Sequence, residues 1–291
     1  MMKPKTLIEK VLTYGRMIRF SHTLFALPFA LSSVVFSSLF HKVTLEKLLW
    51  ILVAMVSARS SAMGFNRIVD KKIDALNPRT STRELPSGRI STFEASIFVV
   101  FFSMIFIYAS YNLNELCFYL SPVALVVIFF YSFTKRFTWL SHFFLGISLG
   151  LAPVGAWLAI AGKFELPPII LGLGVLTWIA GSDIIYACQD YEFDTKYGLY
   201  SIPQRFGVEN ALRISAIIHL LSFISFVSLK FLLDLGMIYT IGLILMGVLL
   251  IYQHMIVKPN DLTRINFAFN TVNSLVSTSY FVFSSFDVVF F

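Results

Sequence analysis

The chain has 291 residues, of which 57% are hydrophobic and 13% charged, with a mean hydropathy of +0.78. Soluble domains carry about 25% charged residues and disordered chains are poor in aromatics, so 13% charge beside 16% aromatics excludes both classes. The net charge of +7 does not mark a nucleic-acid partner, because Lys and Arg lie in short segments between apolar runs, as in a membrane protein with biased loops.

In chain order, apolar spans are expected near 17–40, 46–65, 93–111, 116–133, 139–161, 166–187, 211–229, 234–257 and 267–291. Each is close to the 20 or so residues that cross a bilayer. The first lacks a small-residue cleavage pattern and is expected to be retained. Runs such as Phe98-Val99-Val100-Phe101-Phe102 do not alternate, which excludes the strands of a membrane barrel. The fold class is therefore all-α: a polytopic membrane protein with nine transmembrane helices around a central cavity. Eighteen Lys and Arg fall on the N-terminal segment and the loops after the even-numbered spans. Four fall on the other loops, and Arg59 lies within a span. This bias puts the N-terminus inside and, with nine spans, the C-terminus outside. Cys117 and Cys188 then lie at opposite membrane faces, too far apart to pair.

Two inside loops are long, about Asn66 to Thr92 and about Cys188 to Asn210, and four spans separate them. The chain thus reads as a single domain over 1–291, built of two four-helix units (about 17–133 and 139–257) plus a ninth helix. Both long loops begin with acids at helical spacing. Asn66, Asp70 and Asp74 share one helix face, as do Tyr186, Asp190 and Asp194. Asp183 extends the second row toward the membrane. Stacked carboxylates repel unless a cation joins them, and Mg²⁺ takes a few carboxylates together with substrate phosphate oxygens. Arg67, Lys71, Lys72, Arg79, Arg83, Arg89 and Lys196 are interleaved with these acids. Acids and bases together suit a diphosphate. Arg59 precedes Asn66 by seven residues, two helical turns, and an arginine inside a span usually faces a polar cavity.

These motifs resemble the UbiA superfamily of intramembrane aromatic prenyltransferases. Asn66, Asp70 and Asp74 match its N-x3-D-x3-D motif, and Asp183, Tyr186, Asp190, Asp194 and Lys196 match D-x2-Y-x3-D-x3-D-x-K. The stretch Arg79 to Gly88 resembles its R-P-L-P-S-G loop, with Glu84 where the family often has proline. Tyr131 to Arg136 resembles Y-x3-K-R. The likeness covers about residues 16–207 and is greatest to the 4-hydroxybenzoate polyprenyltransferases of quinone biosynthesis. It implies Mg²⁺ on Asp70, Asp74, Asp190 and Asp194, binding the diphosphate of a polyprenyl donor. Asn66 helps there, Lys71, Arg83 and Lys196 offset the leaving charge, and Arg59, Arg67 and Lys135 are further substrate-binding candidates. Tyr131 and Tyr186 are the aromatic candidates for steadying an allylic cation. Asp183 orients or deprotonates the phenol of an aromatic acid, whose carboxylate meets Arg19, with Arg136 as a second candidate. The enzyme is expected in a bacterial inner membrane or its equivalent, with its site on the cytoplasmic side and its apolar tail tunnel open to lipid. Two other readings stay open. One is the same chemistry on a dihydroxynaphthoate. The other is a secondary transporter with acidic cation sites, whose sites would sit nearer the midplane on broken helices.

Overall fold

The structure, a computed structural model, describes residues 7–18 and 25–290. Among these residues every regular element is helical. A short α1 (Leu7–Met17) precedes α2 (Leu27–Ser37). Then come the long helices α3 (Leu45–Leu76), α4 (Thr92–Leu113), α5 (Glu115–Thr134), α6 (Ser141–Ala161) and α7 (Leu166–Ala187). A 3₁₀ turn at Cys188–Asp190 leads into α8 (Tyr191–Tyr197) and α9 (Ile202–Phe206). After these run α10 (Val208–Leu232) and α11 (Met237–Ile256). The one-turn α12 (Ile265–Phe267) continues through a π-helical turn at Ala268–Val272 into α13 (Asn273–Phe290).

The boundaries have local causes. Thr44 accepts the Lys47 backbone N–H to open α3, Ser91 and Glu94 form a capping box at α4, and Asn114 caps α5. Such caps satisfy the orphan N–H groups of a first turn. Gly162 and Gly198 close α6 and α8 with φ of 68° and 66°, a region that glycine enters without steric cost.

Among the described residues, seven helices are long and apolar enough to cross a membrane, and large apolar side chains such as Phe93, Val100 and Phe101 point outward. The chain is an integral membrane protein. The expected first and ninth spans differ from the rest. Part of 17–40 lies outside the described residues, and what is described there is an 11-residue α2 preceded by a separate α1. The last span is broken by the π turn and carries Asn273, Ser277, Ser284 and Asp287 in its buried face. The second span runs on as helix to Leu76, because nothing between Arg67 and Asp74 breaks it.

Helix α6 packs against α7 at backbone contact. A Cβ on Gly150 would stand 2.7 Å from the Gly172 carbonyl oxygen, and one on Gly146 would collide with that of Leu176. Small residues four apart allow such close approach in membranes, where dispersion and hydrogen bonds replace the hydrophobic drive. An aromatic core of Phe29, Trp178, Phe226, Tyr239 and Tyr280 joins α2, α7, α10, α11 and α13. At the end of the bundle remote from Asp74, Glu165 binds Lys163 at 2.8 Å, His41 at 3.0 Å and the Trp157 indole at 2.7 Å. The Lys163 and His41 hydrogen bonds pull its carboxyl down to about 2. This cluster ties the turn before α3 to the turn before α7.

Candidate active site

Helix α3 carries the first row. Asn66 donates to Asp70 Oδ2 at 3.1 Å, and both Asp70 and Asp74 are buried, at 3% exposure each. Beyond Leu76 the chain folds back over the helix end. The Thr80 hydroxyl donates to the Asp74 carbonyl at 3.0 Å, and Asn77 Oδ1 accepts the Arg79 backbone N–H at 2.9 Å. That turn lays Arg83 on Asp74, with Nη1 2.7 and 2.8 Å from its two carboxylate oxygens.

The second row stands on the end of α7 and on α8. The 3₁₀ turn interrupts the helix between Tyr186 and Asp194, so the expected unbroken i, i+4 ladder is absent. Even so, Asp183, Tyr186, Asp190 and Asp194 all line one cavity of about 600 Å³ together with Asn66, Asp70 and Asp74. The two rows are bonded to each other. Asn77 Nδ2 donates to Asp190 Oδ1 at 3.1 Å, and Arg79 reaches the same carboxylate through Nε at 3.0 Å and Nη2 at 2.5 Å. Its Nη1 also donates to the Tyr186 hydroxyl at 3.0 Å. Burial pulls the Arg79 pKa down, but the hydrogen bond to Asp190 and its charge outweigh this and leave it raised.

The third wall comes from the end of α5. The Tyr200 backbone N–H donates to the Lys135 carbonyl at 2.8 Å, joining this turn to the loop after α8. Lys135 Nζ lies 2.8 Å from Asp70 Oδ2, and Arg136 Nη2 lies 3.0 Å from Asp70 Oδ1. Lys135 and Tyr131 line the cavity. Arg136 is not among the lining residues and reaches Asp70 while also holding the Val69 carbonyl at 2.9 Å.

Deeper in the bundle the lining turns apolar, with Ile51, Ala54, Ile128 and Leu158. From Asp74 to Ile51 the cavity follows α3 for about 35 Å at 1.5 Å per residue. Arg59 sits along this path, two turns below Asn66, and donates to the Ile18 carbonyl at 3.0 Å. Arg67, 4% exposed, lines the cavity too, and its Nε holds the Met17 carbonyl at 3.2 Å. Both arginines thereby satisfy carbonyls at the end of α1 that the helix leaves unpaired.

Two expected bases are elsewhere. Lys71 turns to the Thr92 hydroxyl at 3.0 Å, and Lys196 lies exposed beside the Tyr197 ring; neither lines the cavity. The reason is angular, since at about 100° per residue Lys71, one after Asp70, and Lys196, two after Asp194, point about 100° and 200° away from those inward acids. Arg19, with Ser21 and His22, lies outside the described residues. Conversely, the sequence reading left Asn77 and His142 out of the site and named Arg79 only among the interleaved bases and the loop motif. The His142 Nε2 accepts the Ile202 backbone N–H at 3.2 Å, which leaves Nδ1 as the donor to Asp183 Oδ2 at 2.7 Å. The signal for it was a histidine at the head of an apolar span, matched by an aspartate inside another.

Comparison with known proteins identifies the family. Residues 25–276 match the UbiA prenyltransferase family. The chain belongs to the UbiA prenyltransferase family. Among relatives of this UbiA prenyltransferase, the 4-hydroxybenzoate octaprenyltransferase of Vibrio atlanticus (strain LGP32) is 31% identical over 218 residues, covering 72% of this chain and 74% of its own. That of Histophilus somni (strain 129Pt) is 28% identical over 288 residues, 97% of each chain. The apo structure of a UbiA homolog from Aeropyrum pernix K1 superposes with a TM-score of 0.82 at 31% identity, over 92% of this chain and 97% of that one. A UbiA homolog from Archaeoglobus fulgidus, solved bound to GPP and Mg²⁺, shares the fold with a TM-score of 0.67 at 22% identity, over 94% and 99%. The UbiA prenyltransferase described here is thus a transferase, and the transporter reading is set aside.

Proposed function

We propose that this enzyme transfers a polyprenyl group from its diphosphate to a ring carbon of an aromatic acid, 4-hydroxybenzoate first among candidates, with Mg²⁺ as its metal. The observation that carries this reading is that two acidic rows, bonded to each other through Asn77 and Arg79, open into one cavity whose far end is apolar and as long as a membrane is thick.

Among the described residues no three Asp, Glu, His or Cys side chains form a preassembled metal cage. The donor set still fits Mg²⁺, which commonly takes only one or two protein carboxylates and completes its shell with substrate phosphates and water. Asp70 and Asp74 on one wall, and Asp190 and Asp194 on the other, would hold it. When bound, the metal supplies positive charge to the diphosphate oxygens. Arg79, Arg83 and Lys135 now hold Asp190, Asp74 and Asp70 and would turn to the diphosphate when the donor arrives, while Asp194 accepts the Ser201 hydroxyl at 3.0 Å. The allylic C–O bond then breaks and its electron pair leaves with diphosphate. A ring π pair of the acceptor forms the new C–C bond, and the proton on that carbon is lost as the ring recovers aromaticity. Asp183, steadied by His142, accepts the phenol hydrogen bond that raises electron density in the ring. Tyr131 and Tyr186 flank the cation. Arg59, rather than Arg136 at the rim, suits the acceptor carboxylate, because it is the cation furthest down α3 within the cavity lining.

The acids lie at the ends of α3 and α7 that the Lys and Arg bias assigns to the cytoplasm, with the C-terminus outside. One domain of two four-helix units plus a ninth helix accounts for the matched pairing of α3 with α4 and of α7 with α10. A substrate panel tests the function. Purified protein with Mg²⁺ and a polyprenyl diphosphate should prenylate 4-hydroxybenzoate in preference to a dihydroxynaphthoate, read by mass spectrometry. Chelation should stop turnover, and product on the naphthoate alone would move the enzyme to the second acceptor.

The tail path also makes a prediction. Val123 of α5 and Gly155 of α6 line the cavity and are exposed as well, and a Cβ on Gly155 would meet nothing within 4 Å. Each helix carries a proline nearby, Pro122 and Pro153. This is the apolar mouth through which a long tail passes into lipid. Gly155→Phe should lower transfer from an eight-unit donor by about tenfold and leave a two-unit donor within about twofold, a discrimination on the scale of hydrophobic pocket contacts. Equal losses on both donors would show that no tail passes there.

A further inference from the structure

The π turn at Ala268–Val272 is the one π-helical segment among the described residues, and such turns are rare and often sit at functional sites. Here the turn delivers Phe269 to the cavity. Its ring packs on Tyr186 with centroids 4.3 Å apart and edge-on against Phe25 at 5.4 Å. Tyr186 in turn receives Arg79, which binds Asp190. Phe269 is therefore one ring removed from the groups that would hold diphosphate.

The turn is bonded to a buried polar cluster. Gln253 Nε2 donates to the Ala268 carbonyl at 3.2 Å and to Asn273 Oδ1 at 3.3 Å, and the Ser182 hydroxyl donates to the same Oδ1 at 3.0 Å. Gln253, Asn273 and Ser182 are each 0% exposed. Gln253 Oε1 and Asn273 Nδ2 find no protein partner. Buried polar groups left unpaired are costly, and leucine-like side chains would fill the same space without that cost. What the amides contribute is a fixed, non-α geometry at residue 268, one residue before the ring in the cavity.

Resting on the function proposed above, we infer that Phe269 is a catalytic residue for prenyl transfer. One face of its ring rests on Tyr186, which also carries the Arg79 guanidinium; the part of the Phe269 ring that lines the cavity covers the allylic carbon as the C–O bond breaks, attracts the positive charge and keeps water from it. Gln253 and Asn273 are positioning residues that act through the π turn. Where the cover fails, water supplies the electron pair instead of the acceptor ring. The donor then leaves as prenyl alcohol, diphosphate and a proton.

The test replaces Phe269 by mono-, di- and trifluorophenylalanine, which keep the ring's shape and weaken the negative charge of its face. With geranyl diphosphate, Mg²⁺ and 4-hydroxybenzoate, kcat should fall stepwise, by about tenfold across the series, the size of a desolvated cation–π contact, with the donor KM within about threefold. Phe269→Leu should raise the share of consumed donor released as geraniol. In a Gln253→Leu background the fluorine dependence should flatten, which a merely stabilising amide would not cause. A flat series in active enzyme, or an unchanged geraniol share in Phe269→Leu, overturns the inference and leaves the proposed function standing. A wild-type enzyme that prenylates no acceptor in the panel overturns both.

Discussion

Asp70→Asn and Asp190→Asn should each lower kcat/KM for prenyl transfer by about a thousandfold or more, while the thermal midpoint in detergent moves by only a few degrees. The expectation rests on where these carboxylates lie. Each is on the wall of the shared cavity, and each is held by cations from another segment: Lys135 and Arg136 on Asp70, Arg79 on Asp190. Removing one preorganised charge that acts on a leaving group costs about 10²–10³ in rate, and losing a metal ligand adds to that. Asparagine keeps the size and part of the hydrogen bonding, which alanine would lose, so the fold should persist. Lys71→Gln and Lys196→Gln serve as comparisons and should stay within about threefold, because Lys71 is turned to Thr92 and Lys196 to the surface. Near-normal rates in either aspartate variant, measured by product mass spectrometry, would remove the acids from the mechanism.

Arg59→Leu should raise the KM for 4-hydroxybenzoate by about a hundredfold with little change in the KM for the donor. Truncating one partner of a buried, hydrogen-bonded charge pair costs about 2–5 kcal/mol, and Arg59 lies on an apolar stretch of the cavity where water competes poorly. A second measurement separates this role from support of α1, since Arg59 also holds the Ile18 carbonyl. Wild-type enzyme should prefer the acid over 4-hydroxybenzamide by a large factor, and Arg59→Leu should erase that preference. A general loss with the acid preference intact would mean that Arg59 only secures α1.

Much of this site was legible because its acids obey helical spacing. Asn66, Asp70 and Asp74 sit on a helix that continues past the membrane without a break, so periodicity placed them on one face. The membrane class was equally legible, since an apolar span has no other use for so few charges. What periodicity could not carry was the path of the chain after a helix ends. Arg79 meets Asp190 only because Asn77 and Thr80 fold the loop back, and no spacing rule links residues over 100 positions apart. Lys71 was assigned to the diphosphate by its charge beside the first row and Lys196 by its place in the second motif, and neither says which way a side chain turns. Phe269 was hidden for a further reason. A π turn shifts register by one residue, so the face read from 3.6-residue periodicity fails there.

The pairing of Asp70, Asp74 and Asp190 with cations has a consequence for how such a chain is made. A membrane protein is threaded into the bilayer before it meets any substrate. Carboxylates left bare at the hydrocarbon boundary would draw water and lipid headgroups inward during assembly. With Asp74 clasped by Arg83, Asp70 by Lys135 and Arg136, and Asp190 by Arg79, the newborn polypeptide carries its own counterions. It can settle electroneutrally among lipids and wait, complete, for its first cargo.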